Sequence, residues 1–261
     1  MSVKPKKSLG QNFLLDKNII DKIINASKIS SSDEVLEIGP GTGNLTKFII
    51  SQKPKKIYVI EKDENLISDL EKQYFDKINI IKKDILKIPF KFYSGKKFLV
   101  LGNLPYNIST KILSNLCVNS ELSVSRMILM FQKEVAERIL ADVNSKEYSR
   151  ITILSKWKFD IKRVIDVKPN SFFPKPKVHS TVLEFIPKRK IHEIKDPKNL
   201  EKITKVFFNQ RRKMIKKPIN ILFKKYKFDY KKFNINPTDR PQNIDIIKYL
   251  KIVNEYESLG I

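Results

Sequence analysis

Val35-Leu36-Glu37-Ile38-Gly39-Pro40-Gly41-Thr42-Gly43-Asn44-Leu45-Thr46 is the stretch on which the fold turns. Its apolar start, Val35 to Ile38, reads as a short buried strand. Glycines at 39, 41 and 43 then let the backbone turn sharply and approach a ligand where a Cβ would collide, and a helix is expected from about Leu45. Strand, glycine turn and helix start together make a nucleotide-type cradle. The spacing is G-P-G-T-G rather than the G-x-G-x-x-G of dinucleotide binders, and no Gly-Lys-Ser/Thr follows, which argues against a phosphate-gripping P-loop. Taken alone, the run also reads as a plain tight turn.

Downstream, Lys56-Ile57-Tyr58-Val59-Ile60-Glu61 reads as a second buried strand that ends in a carboxylate. A ribose bound at that strand end presents two hydroxyls, and one carboxylate accepts from both; a solvated strand-end acid is the plainer alternative. Ile78 to Leu86 gives a third strand, with Asp84 placed to take the exocyclic amine of an adenine. Phe98 to Gly102 is a fourth, and it runs directly into Asn103-Leu104-Pro105-Tyr106-Asn107, where the chemistry is expected. Pro105 fixes its own φ and biases Leu104 toward an extended conformation, so the Leu104 carbonyl and the Asn103 side chain can converge on one point. Two acceptors there suit an adenine amine, whose lone pair is delocalised into the ring. Held through both hydrogens, the nitrogen pyramidalises and becomes nucleophilic. Tyr106 is placed to stack on a base splayed out of RNA. The alternative is a proline-terminated strand carrying a buried tyrosine.

Met127 to Gln132 reads as a fifth strand, followed by a helix over 133–140 in which Glu134 and Arg138 are spaced as a surface ion pair. Ile151 to Trp157, Phe159 to Val167 and Val178 to Ile186 read as further strands. Between the last two, Pro174 and Pro176 stiffen a loop in which Phe172 and Phe173 either wall a base pocket or belong to the core. His179 and His192 are the only histidines, neither with a partner at metal-ligand spacing, so no metal site is expected. Pro187-Lys188-Arg189-Lys190 looks like a linker, and the pattern beyond it is helical only, at Ile203, Val206 and Phe207, at Ile219, Ile221 and Leu222, and at Ile244, Ile247, Leu250 and Ile252. The expected organisation is an α/β domain over 1–187 and a small all-helical domain over 191–261.

The 261 residues carry 52 Lys and Arg against 28 Asp and Glu, a net charge of +24. Such a field attracts polyanions. It is uneven: residues 202–232 hold twelve Lys or Arg against the single acid Asp229. Aromatic residues interleave with that run, among them Phe207, Phe208, Phe223 and Tyr226, which favours nucleic acid; lysine enrichment in an AT-rich genome is the alternative source of charge. An acidic membrane surface lacks a clean amphipathic helix to meet it. The one cysteine, Cys117, excludes a disulfide framework and reads as a core residue. Met1 to Gly10 is basic with no apolar segment after it, and no run approaches the roughly 18 apolar residues of a membrane span, so a soluble cytoplasmic protein is expected.

Read together, Gln11-Asn12-Phe13-Leu14, Glu37 to Gly43, Glu61, Asp84, Asn103-Leu104-Pro105-Tyr106-Asn107, Phe131 to Arg138 and Phe173-Pro174-Lys175-Pro176-Lys177-Val178 resemble, in order, the motifs of the ribosomal RNA adenine N6-dimethyltransferases. The resemblance covers Lys7 to about Ile186 and implies a Rossmann-like class I methyltransferase sheet. It implies that S-adenosylmethionine is held by Asn12, Leu14, Gly39, Gly41, Glu61, Asp84 and Asn103. Asn103, Leu104, Pro105 and Tyr106 would hold the target adenine, with Phe172 and Phe173 flanking it. Phe208 to Lys213 and Pro237 to Ile244 resemble the branch that dimethylates two adjacent adenosines in the 3′-terminal hairpin of 16S rRNA in immature small ribosomal subunits, rather than the branch that modifies large-subunit RNA. Arg211, Arg212 and Lys213 would contact RNA, and a monomer is expected. His179, where Asp is common, and Ser149, where glycine is common, depart from the pattern. A non-catalytic RNA-binding assembly factor is the competing expectation, and it would have no use for paired acceptors at a strand end.

Overall fold

A computed structural model describes residues 5–224 and 226–260. Met1 to Lys4 of the expected basic arm, Lys225 of the basic run and Ile261 lie outside the described residues. Nine strands are formed among the described residues: β1 (Phe13–Leu14), β2 (Glu34–Ile38), β3 (Lys56–Glu61), β4 (Asn79–Lys82), β5 (Lys97–Asn103), β6 (Ser123–Gln132), β7 (Phe159–Val167), β8 (Phe172–Phe173) and β9 (Ser180–Pro187). Seven of them make one sheet in the order β4-β3-β2-β5-β6-β9-β7. Its first five strands are mutually parallel, and β9 returns antiparallel beside β6. β1 and β8 pair separately, Phe13 opposite Phe173 and Leu14 opposite Phe172.

The chain leaves β2 toward β3 and β4 on one side and comes back to β5 and β6 on the other. The order therefore reverses between β2 and β5, which lie side by side with Glu37 opposite Leu101. Open parallel sheets bind ligands at such a switch point, outside the carboxyl ends of the strands. Here those ends carry the glycine turn, Glu61 and Asn103. The central strands are covered on both faces, which is why Val35, Leu36 and Ile38 and their neighbours Leu99, Val100 and Leu101 are continuous apolar runs, all buried.

The helices are α1 (Lys17–Ser27), α2 (Asn44–Ser51), α3 (Glu64–Tyr74), α4 (Ser109–Val118), α5 (Lys133–Leu140), α6 (Arg150–Lys158), α7 (Pro197–Phe208), α8 (Lys216–Phe223) and α9 (Ile246–Ser258). α1 shows how the local sequence decides an element. Ile19, Ile20, Ile23 and Ile24 share one buried face, and Asp16 caps the start by accepting from the Asn18 amide at 3.0 Å.

Two compact units result. The first runs through Asn115 and takes in Ser120–Ala136 and Asp160–Pro187; the second comprises Leu116–Asn119, Glu137–Phe159 and the chain from Lys188 onward. The chain divides after Pro187 as expected, but the first unit is not continuous: residues 116–119 and 137–159 group with the C-terminal helices. The structure corrects Ile151 to Trp157, expected as a strand and found within α6. That helix packs against α7 and α9 in the second unit, and Ile151 to Ser155 and Trp157 are all buried, so no one-faced period is visible. Its start is secured by the Ser149 amide donating to Thr152 Oγ1 at 3.0 Å. The third strand is shorter than expected, ending at Lys82. Ile221 and Ile247, counted among apolar helix positions, are exposed, whereas Ile203, Phe207, Ile219, Leu222, Leu250 and Ile252 are buried. Cys117 is fully buried, and burial pushes its thiol up to about 12, leaving a protonated core residue. Among the described residues no helix is long and apolar enough to cross a membrane.

Candidate active site

A cavity in the first unit lies at the carboxyl ends of β2, β3 and β5. Its wall is built from the segment Leu9 to Leu14, the glycine turn, Glu61 and Lys62, Asp84, and Asn103 to Tyr106. The turn is tight enough to need glycine. At Gly41, with φ of +58°, a Cβ would stand 2.8 Å from Phe13 Cδ1. The backbone is pinned on both sides, the Gly39 amide donating to the Ile60 carbonyl at 3.0 Å and the Gly43 amide to the Pro40 carbonyl at 3.0 Å.

Three carboxylates face this space in different states. Glu61, at the end of β3, accepts through Oε1 from the amides of Lys62 at 2.8 Å and Asp63 at 3.0 Å. Burial raises its pKa above the ordinary carboxylate range, although those amides and that of Gly41 pull the other way. Asp84 caps the short turn after β4, accepting from the Leu86 amide at 2.9 Å with Lys62 Nζ 3.3 Å from Oδ2. Burial opposes its ionisation, but the amide and the two lysines Lys62 and Lys87 outweigh it, and its pKa is lowered. Glu37 is 1 % exposed and accepts from Thr46 Oγ1 at 2.6 Å. Burial pushes its carboxyl up to about 7, and the charge of Glu61 adds to this.

The N-terminal segment is tied to this wall by polar contacts. Lys6 Nζ lies 2.7 Å and Gln11 Nε2 2.8 Å from the two oxygens of Asp63, the N-cap of α3. Asn44 Nδ2 donates to the Leu14 carbonyl at 2.8 Å. Asn103 Nδ2 donates to the Asn12 carbonyl at 2.7 Å. That last contact fixes which way the Asn103 amide faces, because a carbonyl can only accept. Asn103 Oδ1 is therefore turned away from Asn12, and it is buried with no hydrogen-bond partner among the described residues. Such a group is costly to leave unpaired unless a donor arrives. Beside it, Tyr106 Oη lies 2.6 Å from Ser180 Oγ, and burial raises the phenol pKa. The expected partnership of Asn103, Leu104, Pro105 and Tyr106 with Asn12, Leu14, Gly39, Gly41, Glu61 and Asp84 is thus one continuous wall.

The family model of the ribosomal RNA adenine dimethylases matches residues 2–258. The chain belongs to that family. It is 51% identical over 261 residues, 99% of each chain, to the ribosomal RNA small subunit methyltransferase A of Pelagibacter ubique, and 40% identical over 256 residues to that of Malacoplasma penetrans, covering 97% of this chain and 92% of the other. Among solved structures, a dimethyladenosine transferase from Plasmodium falciparum superposes with a TM-score of 0.76 at 30% identity, over 95% of this chain and 98% of that one. The 23S rRNA methyltransferase ErmE, with a TM-score of 0.65 at 20% identity over 95% of this chain and all of that one, shares the fold.

Not every residue expected at the site of this dimethylase-family chain lies on that wall. Phe172 and Phe173 do not line the cavity: Phe172 is buried in the core cluster that contains Leu14 and Ile20, and Phe173 is 54 % exposed on the other side of β8. A two-residue strand sends successive side chains to opposite faces, so this Phe-Phe pair cannot wall one pocket together. Arg211 is spent inside the second unit, its guanidinium donating to the Lys146 carbonyl and, at 3.3 Å, to Gln242 Oε1. Arg212 and Lys213 instead line an open basic hollow with Lys216, Lys217 and Arg240. Sequence reading assigned no role to Asp63, Glu37 or Ser180. Glu37 had a visible signal, a carboxylate at the end of a buried strand just before the glycines; Asp63 and Ser180 had none.

The cavity of this dimethylase fits S-adenosylmethionine. Its glycine turn leaves no room for a Cβ at Gly41, and the carboxyls of Glu61 and Asp84 place acceptor oxygens on its wall.

Proposed function

We propose that this chain dimethylates adenosine N6 in small-subunit ribosomal RNA with methyl groups from S-adenosylmethionine, at two adjacent adenosines of the 3′-terminal hairpin of 16S rRNA. Its partner is the immature small subunit, met by a monomer in the cytoplasm. The buried, unpartnered Oδ1 of Asn103, a residue in the wall of a nucleotide-type cavity, carries this reading. When bound, the cofactor supplies an electrophilic methyl on a sulfonium, which departs as a neutral thioether. The chain's own part is binding and orientation. Glu61 receives the ribose hydroxyls and Asp84 the adenine amine of the cofactor, while Asn12 holds the Asn103 amide with its oxygen toward the target. Asn103 Oδ1 and the Leu104 carbonyl accept the two hydrogens of N6, directing its lone pair at the methyl. Tyr106 stacks on the base. The N6 proton passes to water after transfer, so no general base is required. Arg212 and Lys213 supply phosphate contacts.

The decisive experiment offers labelled S-adenosylmethionine with immature small subunits and, separately, with large-subunit RNA, followed by nucleoside analysis. Dimethyladenosine only in small-subunit RNA is the expected result. Label in large-subunit RNA would assign the other substrate, and no label despite cofactor binding would leave a non-catalytic assembly factor.

A further inference from the structure

Ser180 opens β9, fully buried and paired with Gln132 of β6. Its hydroxyl lies 2.6 Å from Tyr106 Oη. Its neighbours hold it in place on both sides: the His179 carbonyl accepts from the Lys133 amide at 2.9 Å, and Thr181 Oγ1 donates to Asp166 Oδ1 at 2.6 Å. A tyrosine ring turns about two torsions, and a partner at its far end restrains both. We propose that Ser180 is a positioning residue that sets the plane of the Tyr106 ring, and that the second methyl transfer depends on it more than the first. This rests on the reading of Tyr106 as the residue that stacks on the target base.

The asymmetry follows from the substrate. In each transfer the N6–C bond forms as the C–S bond breaks, the electron pair stays on sulfur, and one N6 proton leaves to water. Adenosine first arrives with two N–H groups, one each for Asn103 Oδ1 and the Leu104 carbonyl. After the first transfer only one remains, so one of those acceptors loses its donor and the base is held less firmly by its amine. Orientation of the monomethylated base then falls more heavily on the ring against its face.

The full chain, with immature small subunits and S-adenosylmethionine, would be compared as Ser180→Ala, Tyr106→Phe, the double variant, Ser180→Thr and Tyr106→Ala, scoring mono- and dimethyladenosine together with calorimetric cofactor affinity. Loss of one hydrogen bond should slow the second transfer by about tenfold in Ser180→Ala and in Tyr106→Phe. Monomethyladenosine should therefore accumulate, the double variant should match either single one, cofactor affinity should hold, and Ser180→Thr should restore dimethylation. An unchanged product ratio in Ser180→Ala, or losses that add in the double variant, would overturn the inference while Tyr106→Ala remained defective. If Tyr106→Ala itself carried out both transfers normally, the stacking reading would fall and the inference with it.

Discussion

Asn103 has one side-chain nitrogen that is used and one oxygen that is not. If that unused oxygen accepts from the target amine, as proposed, Asn103→Ala should reduce turnover by about 100-fold or more while cofactor affinity changes little, given what removal of one preorganised charge-stabilising group costs. Equal losses in turnover and affinity would refute the acceptor role. Glu37 makes a second prediction, and its sign is fixed by the direction of its shift. The carboxyl moves from an ordinary 4.5 to about 7, so the fold accommodates the protonated form. The associated stability is complete below about pH 4.5 and is lost as pH rises through about 7, an effect on the order of 3 kcal/mol. Glu37→Gln cannot ionise. Its melting temperature should therefore gain on that of the parent between pH 5 and pH 8, and parallel profiles would disprove the buried neutral acid.

At the scale of elements, the N-terminal segment acts as an arm tied to the head of α3 through Asp63. Lys6 is partly exposed, so its ion pair alone contributes no more than about 1 kcal/mol, and the Gln11 hydrogen bond to a charged group about 1.5–3 kcal/mol. Asp63→Ala should weaken binding of S-adenosylmethionine by about tenfold on these figures, measured by calorimetry. Because Asp63 also caps α3, Gln11→Ala serves as the companion that leaves the cap intact; normal affinity in both would separate the arm from the ligand. The sheet around this arm was readable in advance, since its strands are apolar runs punctuated by turn residues. Asp63 was not, because it holds chain more than fifty residues earlier in sequence. α6 was misread for another reason. Ile151, Thr152 and Ile153 favour strands by composition, and burial on every side erased the periodicity that would have revealed a helix.

For the whole molecule, charge is the dominant feature, and its cationic groups divide into two kinds of work. Arg211→Ala removes donors to Lys146 and Gln242 within the second unit and should lower the melting temperature, with about 1–3 kcal/mol at stake. Removing Arg212 and Lys213 should leave melting unchanged and flatten the salt dependence of RNA binding, by about 0.7–0.9 per lost phosphate contact on a log-log plot. An unaltered slope would take that hollow out of the RNA interface. The run from Phe208 to Lys213 announced a basic surface, but nothing in the one-dimensional pattern could say which arginine faces outward.

One backbone oxygen, that of Asn12, belongs both to the arm bordering the cofactor cavity and to the contact that sets the Asn103 amide. With the arm displaced, nothing distinguishes the two faces of that amide, and a half-turn would put a donor where the target amine needs an acceptor. On the proposed reading of Asn103, the chain thereby contains an interlock: its acceptor is correctly set only while the segment from Leu9 to Leu14 is seated.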